Sequence, residues 1–157
     1  MISLVSQLTL NLFSAERFAF ADFIESENKE AVVTLENWLE KNEPLSFYMW
    51  GNQGTGKTHL LQAAVRQINQ SGCRAIYLPL QEVTEDIQRA TEGLEAMDLV
   101  ALDDIDSFYG TEAENALFNL YNRTKEKGGK ILLASRVKPG GAKSLLPDLA
   151  SRLNAGF

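Results

Sequence analysis

The chain has 157 residues and a formal net charge of −6, with 45% apolar and 23% charged residues. That length holds one domain with a core of its own, the fractions are those of a globular protein, and an acidic balance without clustered Lys and Arg argues against a stand-alone nucleic-acid binder. No apolar run approaches a membrane span, Met1-Ile2-Ser3-Leu4-Val5-Ser6 lacks the basic start of a signal peptide, and the one cysteine, Cys73, makes neither an internal disulfide nor a metal site alone, so a cytoplasmic location without membrane contact is expected.

The first patterned stretch is Gln7-Leu8-Thr9-Leu10-Asn11-Leu12-Phe13, where Leu8, Leu10 and Leu12 alternate with polar residues. Two readings are open. One is an edge strand. The other is an extended peptide whose alternate side chains enter a partner's pockets. The aromatic stretch Arg17–Glu25 follows. Then Val32, Leu35 and Leu39 lie at i, i+3 and i+7, which predicts a helix with one apolar face that ends before Pro44.

The strongest signal is Gly51-Asn52-Gln53-Gly54-Thr55-Gly56-Lys57-Thr58, the spacing of a phosphate-binding loop. The apolar run Leu45–Trp50 precedes it as a predicted strand. His59-Leu60-Leu61-Gln62-Ala63-Ala64-Val65 opens a predicted helix with Leu61, Val65 and Ile68 on one face, closing at Ser71-Gly72. In that setting the glycines let backbone N–H groups converge on a polyphosphate, and the helix N-terminus adds its positive end. Lys57 is expected to reach the β- and γ-phosphates and the Thr58 hydroxyl to ligate Mg²⁺. His59, the only histidine, has no second histidine to share a metal and reads as a local contact beside the nucleotide.

Ala75–Leu78 is a second predicted strand, and Gln81 to about Thr91 an irregular helix broken by Gly93. Asp98-Leu99-Val100-Ala101-Leu102-Asp103-Asp104 is an apolar strand that ends in two carboxylates. Beside a phosphate loop, Asp103 is the candidate Mg²⁺ holder, and Asp104 the candidate group that polarises the attacking water. Asp106 reads as a loop residue. Thr111-Glu112-Ala113-Glu114 fits a capping box at the head of a helix that turns Ala113, Leu117 and Leu120 inward. Lys130–Ser135 is a predicted buried strand. Its terminal Ser135 either contacts the γ-phosphate or caps a turn. After a loop at Pro139-Gly140-Gly141, residues 145–153 read as a short helical segment. Arg152 there is either a surface residue or an arginine finger completing a neighbour's site.

Together, the loop at 51–61, Leu102-Asp103-Asp104-Ile105 and Ser151-Arg152-Leu153 resemble the AAA+ nucleotide-binding core of the DnaA family of replication initiators and their Hda-type regulators. Phe20-Ala21-Asp22-Phe23-Ile24 resembles the family's entry stretch, which implies that Phe23 contributes to the adenine pocket. Gln7, Leu8, Leu10, Leu12 and Phe13 resemble a sliding-clamp-binding peptide, and Leu146-Pro147-Asp148-Leu149-Ala150-Ser151-Arg152-Leu153 resembles the regulators' finger segment.

The resemblance implies binding of ADP or ATP with Mg²⁺, docking on the sliding clamp of DNA polymerase III, and stimulation of hydrolysis of DnaA-bound ATP. Arg152 would point into the DnaA nucleotide site, and DNA would be met only through the clamp and DnaA. A homo-oligomer is left open. The rival is a DnaA- or helicase-loader-like ATPase with turnover of its own. The sequence departs from the family pattern at Asp104, where most AAA+ proteins have Glu, and at Arg136, where DnaA-like proteins have an Asp nearby.

The expected fold is α/β: a P-loop NTPase core with a parallel sheet and helices on both faces. The family implies strand order 5-1-4-3-2, here with the fifth strand missing or incomplete. Residues 1–15 are expected as a clamp-binding tail, and 16–157 as the α/β subdomain without a helical lid.

Overall fold

The computed structural model describes residues 29–41, 45–51, 56–83, 86–108 and 110–137. The tail at 7–13, Phe23, phosphate-loop residues 52–55, the segment 145–153 and Arg152 lie outside these. Four strands alternate with helices: α1 (Lys29–Glu40), β1 (Ser46–Trp50), α2 (Lys57–Gln70), β2 (Ala75–Pro79), α3 (Ile87–Ala90), β3 (Leu99–Asp103), α4 (Ala113–Glu126) and β4 (Lys130–Ser135). All strand pairs are parallel, in the order β1-β4-β3-β2. This is the 1-4-3-2 portion of the expected sheet.

The strands read as continuous apolar runs because both sheet faces are covered. Successive side chains alternate between two cores. On one face Phe47, Met49, Tyr77, Leu99, Ala101 and Leu132 pack against Leu60, Leu61, Ala64 and Val65 of α2 and Val32, Leu35 and Leu39 of α1. On the other, Tyr48, Ile76, Leu78, Val100, Leu102 and Leu133 pack against Leu117, Leu120 and Tyr121 of α4. The helical spacing of α1 is thus spent on burial: Val32 and Leu35 are 2% and 0% exposed. Lys130 ties α1 down from the sheet. Its Nζ donates to the carbonyls of Trp38 (2.8 Å) and Leu39 (2.6 Å), and it lies 5.2 Å from the Trp38 ring centroid. A cation there faces the carbonyl end of the helix.

Two local expectations are corrected. The irregular helix from Gln81 is instead a 3₁₀ turn (Leu80–Glu82), extended backbone at Val83, and the four-residue α3. Asp86 accepts the Gln88 N–H at 3.0 Å, so a helix restarts there rather than continuing through. The capping box is not formed. Both the backbone N–H and the hydroxyl of Thr111 donate to the Phe108 carbonyl, closing the 3₁₀ turn before it, and Glu114 is buried.

Candidate functional site

In a parallel sheet every strand delivers its carboxyl end to one edge, and side chains that follow the strands share a crevice there. Here that crevice is a cleft of about 390 Å³ lined by Gly56, Lys57, Thr58, His59, Gln81, Asp103, Asp104 and Arg136. The lining residues follow or end all four strands. Gly51 leaves β1, its N–H donating to the Ser135 carbonyl (3.2 Å), and Gly56 at φ +94 turns the chain into α2. That conformation suits glycine because no Cβ obstructs it.

Lys57 opens α2 and is buried, with Nζ donating to the Gly51 carbonyl at 2.6 Å. Burial pulls its pKa down, against the opposing field of Asp103, Asp104 and Asp106. Asp103, 2% exposed, accepts three hydrogen bonds from the described residues. The Thr58 hydroxyl and the Tyr77 phenol donate to Oδ2 at 2.6 and 2.7 Å, and the Asp104 N–H donates to Oδ1 at 3.0 Å. Burial, then the neighbouring Asp103, pushes the Tyr77 phenol far above its usual range. Tyr77 therefore donates rather than ionises.

Asp104 stands at φ +59, the one non-glycine residue at positive φ among the described residues. Burial raises its pKa, with Asp103 and Asp106 adding in the same direction and Arg136 and Lys57 opposing. The burial of its charge predicts that Asp104→Asn stabilises the fold, since asparagine tolerates this backbone region as aspartate does and carries no charge. The native carboxyl holds its proton more tightly than the unfolded one. Its destabilising contribution is therefore complete above the raised pKa and fades as pH falls towards the ordinary 3.8. Thermal melting should show a gain of about 0.5 kcal/mol, roughly 1–2 °C, at pH 7 that disappears near pH 4. Equal midpoints at pH 7 would contradict the destabilising charge at Asp104.

Arg136 is held by Asp106, which accepts its backbone N–H and its Nε–H, each at 3.2 Å. Asp106 is thus an anchor in the 3₁₀ turn Ile105–Phe108 rather than a plain loop residue. Ser135 is 1% exposed, and its hydroxyl accepts the Val137 N–H at 2.9 Å. The next residue, Arg136, is the one that lines the cleft.

The structure thus brings Gly56, Lys57, Thr58, His59, Asp103 and Asp104 to one cleft, with Gly51 and Ser135 bonded behind it. Tyr77, Gln81, Asp106 and Arg136 are participants that sequence reasoning missed. The available signal for Tyr77 was a phenol two residues from the end of a fully apolar strand. For Arg136 it was a charge directly after one.

The donor set fits a polyphosphate with Mg²⁺. One hydroxyl and one carboxylate are hard oxygen donors, and a buried ammonium stands beside them. Among the described residues no group of three or more His, Cys, Asp or Glu could hold a metal ion. Mg²⁺ suits such a sparse set, since it keeps waters and takes phosphate oxygens as its other ligands.

Comparison with known proteins agrees with this geometry. The model of the bacterial DnaA ATPase domain matches residues 14–157. The replication initiator DnaA bound to AMPPCP and single-stranded DNA is similar at TM-score 0.77 and 26% identity, over 90% of this chain and 50% of that one. AMPPCP-bound DnaA from Aquifex aeolicus follows at TM-score 0.71 and 28% identity, over 86% and 48%. Protein NMB1076 from Neisseria meningitidis, at TM-score 0.53 and 29% identity, is matched over 86% of this chain and 85% of its own. The chain spans about half the length of the DnaA structures it matches. Among the described residues no helix is long and apolar enough to cross a membrane. From its matched sequence and its sheet, the chain belongs to the family of bacterial DnaA ATPase domains.

Proposed function

We propose that this chain is an adenine-nucleotide-binding regulator of replication initiation that docks on the sliding clamp and stimulates hydrolysis of DnaA-bound ATP. The observation that carries the nucleotide part is the grouping of Lys57, Thr58 and Asp103 at the mouth of the phosphate loop. The relatives bound to AMPPCP support the same reading.

In this reading Lys57 leaves the Gly51 carbonyl for the β- and γ-phosphates, and the N–H groups of residues 51–58 cradle them. Thr58 and Asp103 hold Mg²⁺, which when bound neutralises phosphate charge. His59 and Phe23 complete the nucleotide's surroundings. Ser135 shapes the turn that presents Arg136 to the phosphates. Gln7, Leu8, Leu10, Leu12 and Phe13 enter the clamp's groove in extended form, and Arg152 reaches the nucleotide of DnaA. Asp104 in the same cleft favours a second reading, an ATPase with its own turnover in which this carboxyl orients water.

The test pairs two measurements on one preparation. Calorimetry should show saturable binding of Mg–ADP or Mg–ATP. Surface-immobilised sliding clamp should capture the nucleotide-loaded chain, and the variant with Leu12→Ala and Phe13→Ala should lose that capture by at least roughly tenfold, as expected of two buried anchors. Full capture by the double variant would remove the clamp from the proposal. Steady ATP turnover dependent on Asp104, without capture, would favour the second reading.

A further inference from the structure

We propose that Tyr77 is a positioning residue that sets the Mg²⁺ response of this site by fixing the Asp103 carboxylate. The inference rests on the nucleotide-binding reading above and goes beyond the loop residues themselves.

In β3, Leu99, Ala101 and Asp103 face α2, and in β2 Ala75 and Tyr77 face the same way. Tyr77 pairs in register with Ala101, two residues before Asp103. Its ring is 4% exposed in the core under α2, and the ring's length carries the hydroxyl to the strand end, 2.7 Å from Asp103 Oδ2. Thr58, at the head of α2, meets that oxygen at 2.6 Å. A side chain planted in the core thus braces the carboxylate from below, while the phosphate loop meets it from above.

A carboxylate offers about four lone-pair directions. The Tyr77 and Thr58 hydroxyls occupy both on Oδ2, and the Asp104 N–H occupies one on Oδ1. Among the described residues nothing meets the remaining direction, on Oδ1, which faces a cation or its water in the nucleotide-binding reading. The Thr58 proton is committed to Asp103, which turns the Thr58 lone pairs away from the carboxylate towards the cleft. The orientation of both oxygen donors therefore depends on Asp103 keeping one rotamer, and the buried phenol is the partner least able to move. Without it, among the described residues only Thr58 and the Asp104 N–H hold the carboxylate, and a shift in its rotamer takes Thr58 with it. Partners that hold a metal's ligands commonly change metal affinity by about 10- to 100-fold when removed.

The experiment uses Tyr77→Phe, which deletes one oxygen and keeps the ring in its core site. ADP binding is titrated by calorimetry over a series of Mg²⁺ concentrations and again in excess EDTA, with thermal melting to show that the variant is folded. The expected result is a roughly tenfold higher Mg²⁺ concentration at half-effect, with affinity in EDTA unchanged within about twofold. In an Asp103→Asn background, adding Tyr77→Phe should shift the Mg²⁺ response no further, because the two residues act as one unit.

An unchanged Mg²⁺ midpoint in Tyr77→Phe, or an equal loss of affinity with and without Mg²⁺, would overturn the proposal while leaving nucleotide binding intact. An additive shift in the double variant would overturn it too, and remains decisive if the single variant melts early. No binding of ADP by the unsubstituted chain under any condition would overturn both this inference and the function on which it rests.

Discussion

Lys57→Ala is expected to abolish measurable nucleotide binding. The Lys57 ammonium is the cation buried beside Asp103 and Asp104, held 2.6 Å from the Gly51 carbonyl at the base of the phosphate loop. Its removal leaves the cleft with two carboxylates at its mouth and Arg136 as the cation lining it. Charge-assisted hydrogen bonds are worth about 1.5–3 kcal/mol each, so losing bonds to two phosphates costs roughly 3–6 kcal/mol, or about 10²- to 10⁴-fold in Kd.

Partial desolvation already holds the ammonium below its usual pKa, so the fold gives up little when it is removed. The thermal midpoint of the apo variant should stay within a few degrees of the unsubstituted chain. Lys57→Arg is expected to fail as a substitute. A planar fork with five donors does not fit a buried site shaped round a point charge. Calorimetry with Mg–ADP reads the result directly, and affinity retained within threefold in Lys57→Ala would sink the phosphate-loop assignment.

Arg152→Ala is expected to leave nucleotide and clamp binding intact and to end stimulation of ATP hydrolysis by DnaA. An arginine supplied to a neighbouring phosphate site stabilises charge that develops on the transferred group, and such residues contribute about 10³- to 10⁵-fold in rate. The effect should thus appear in the DnaA turnover assay and nowhere else. In the proposed function clamp capture would depend on Gln7, Leu8, Leu10, Leu12 and Phe13 at the other end of the chain, and this chain's own nucleotide would be held by residues 51–58 and 103–104. Single-turnover hydrolysis of labelled ATP preloaded on DnaA, with clamp-loaded DNA and each variant in turn, checks it. Undiminished stimulation by Arg152→Ala would remove the finger role. Loss of capture as well would assign Arg152 to folding or docking instead.

Much of the fold was legible in the sequence because its strongest signals are local. Glycine spacing at 51–56 followed by Lys57-Thr58 marks a strand–loop–helix junction, and the apolar runs through Trp50, Leu78, Asp103 and Ser135 lie in the four strands. The spacing of Val32, Leu35 and Leu39 gave α1 its buried face. Where expectation failed, a local pattern met a competing partner. Thr111 and Glu114 have the letters of a capping box, yet the hydroxyl is consumed by the Phe108 carbonyl one turn earlier. Val83 and Ile87 have helical spacing, yet Asp86 offers the backbone a cap between them.

By itself the sequence determined the phosphate loop, the paired acids at the end of β3 and the α/β alternation, because each is written in consecutive residues. Only the tertiary structure decided which side chains share the cleft. Parallel pairing of β1-β4-β3-β2 sends four strand ends to one edge. There Arg136 meets Asp106 across 30 residues and Tyr77 meets Asp103 across 26. Those contacts depend on register and on which sheet face a residue occupies, and neither is encoded in the spacing of neighbours along the chain. The left-handed turn at Asp104 belongs with them. A carboxylate at a strand end is legible as a letter, but its backbone angle is set by the sheet that stops beneath it and the buried Asp103 that accepts its N–H.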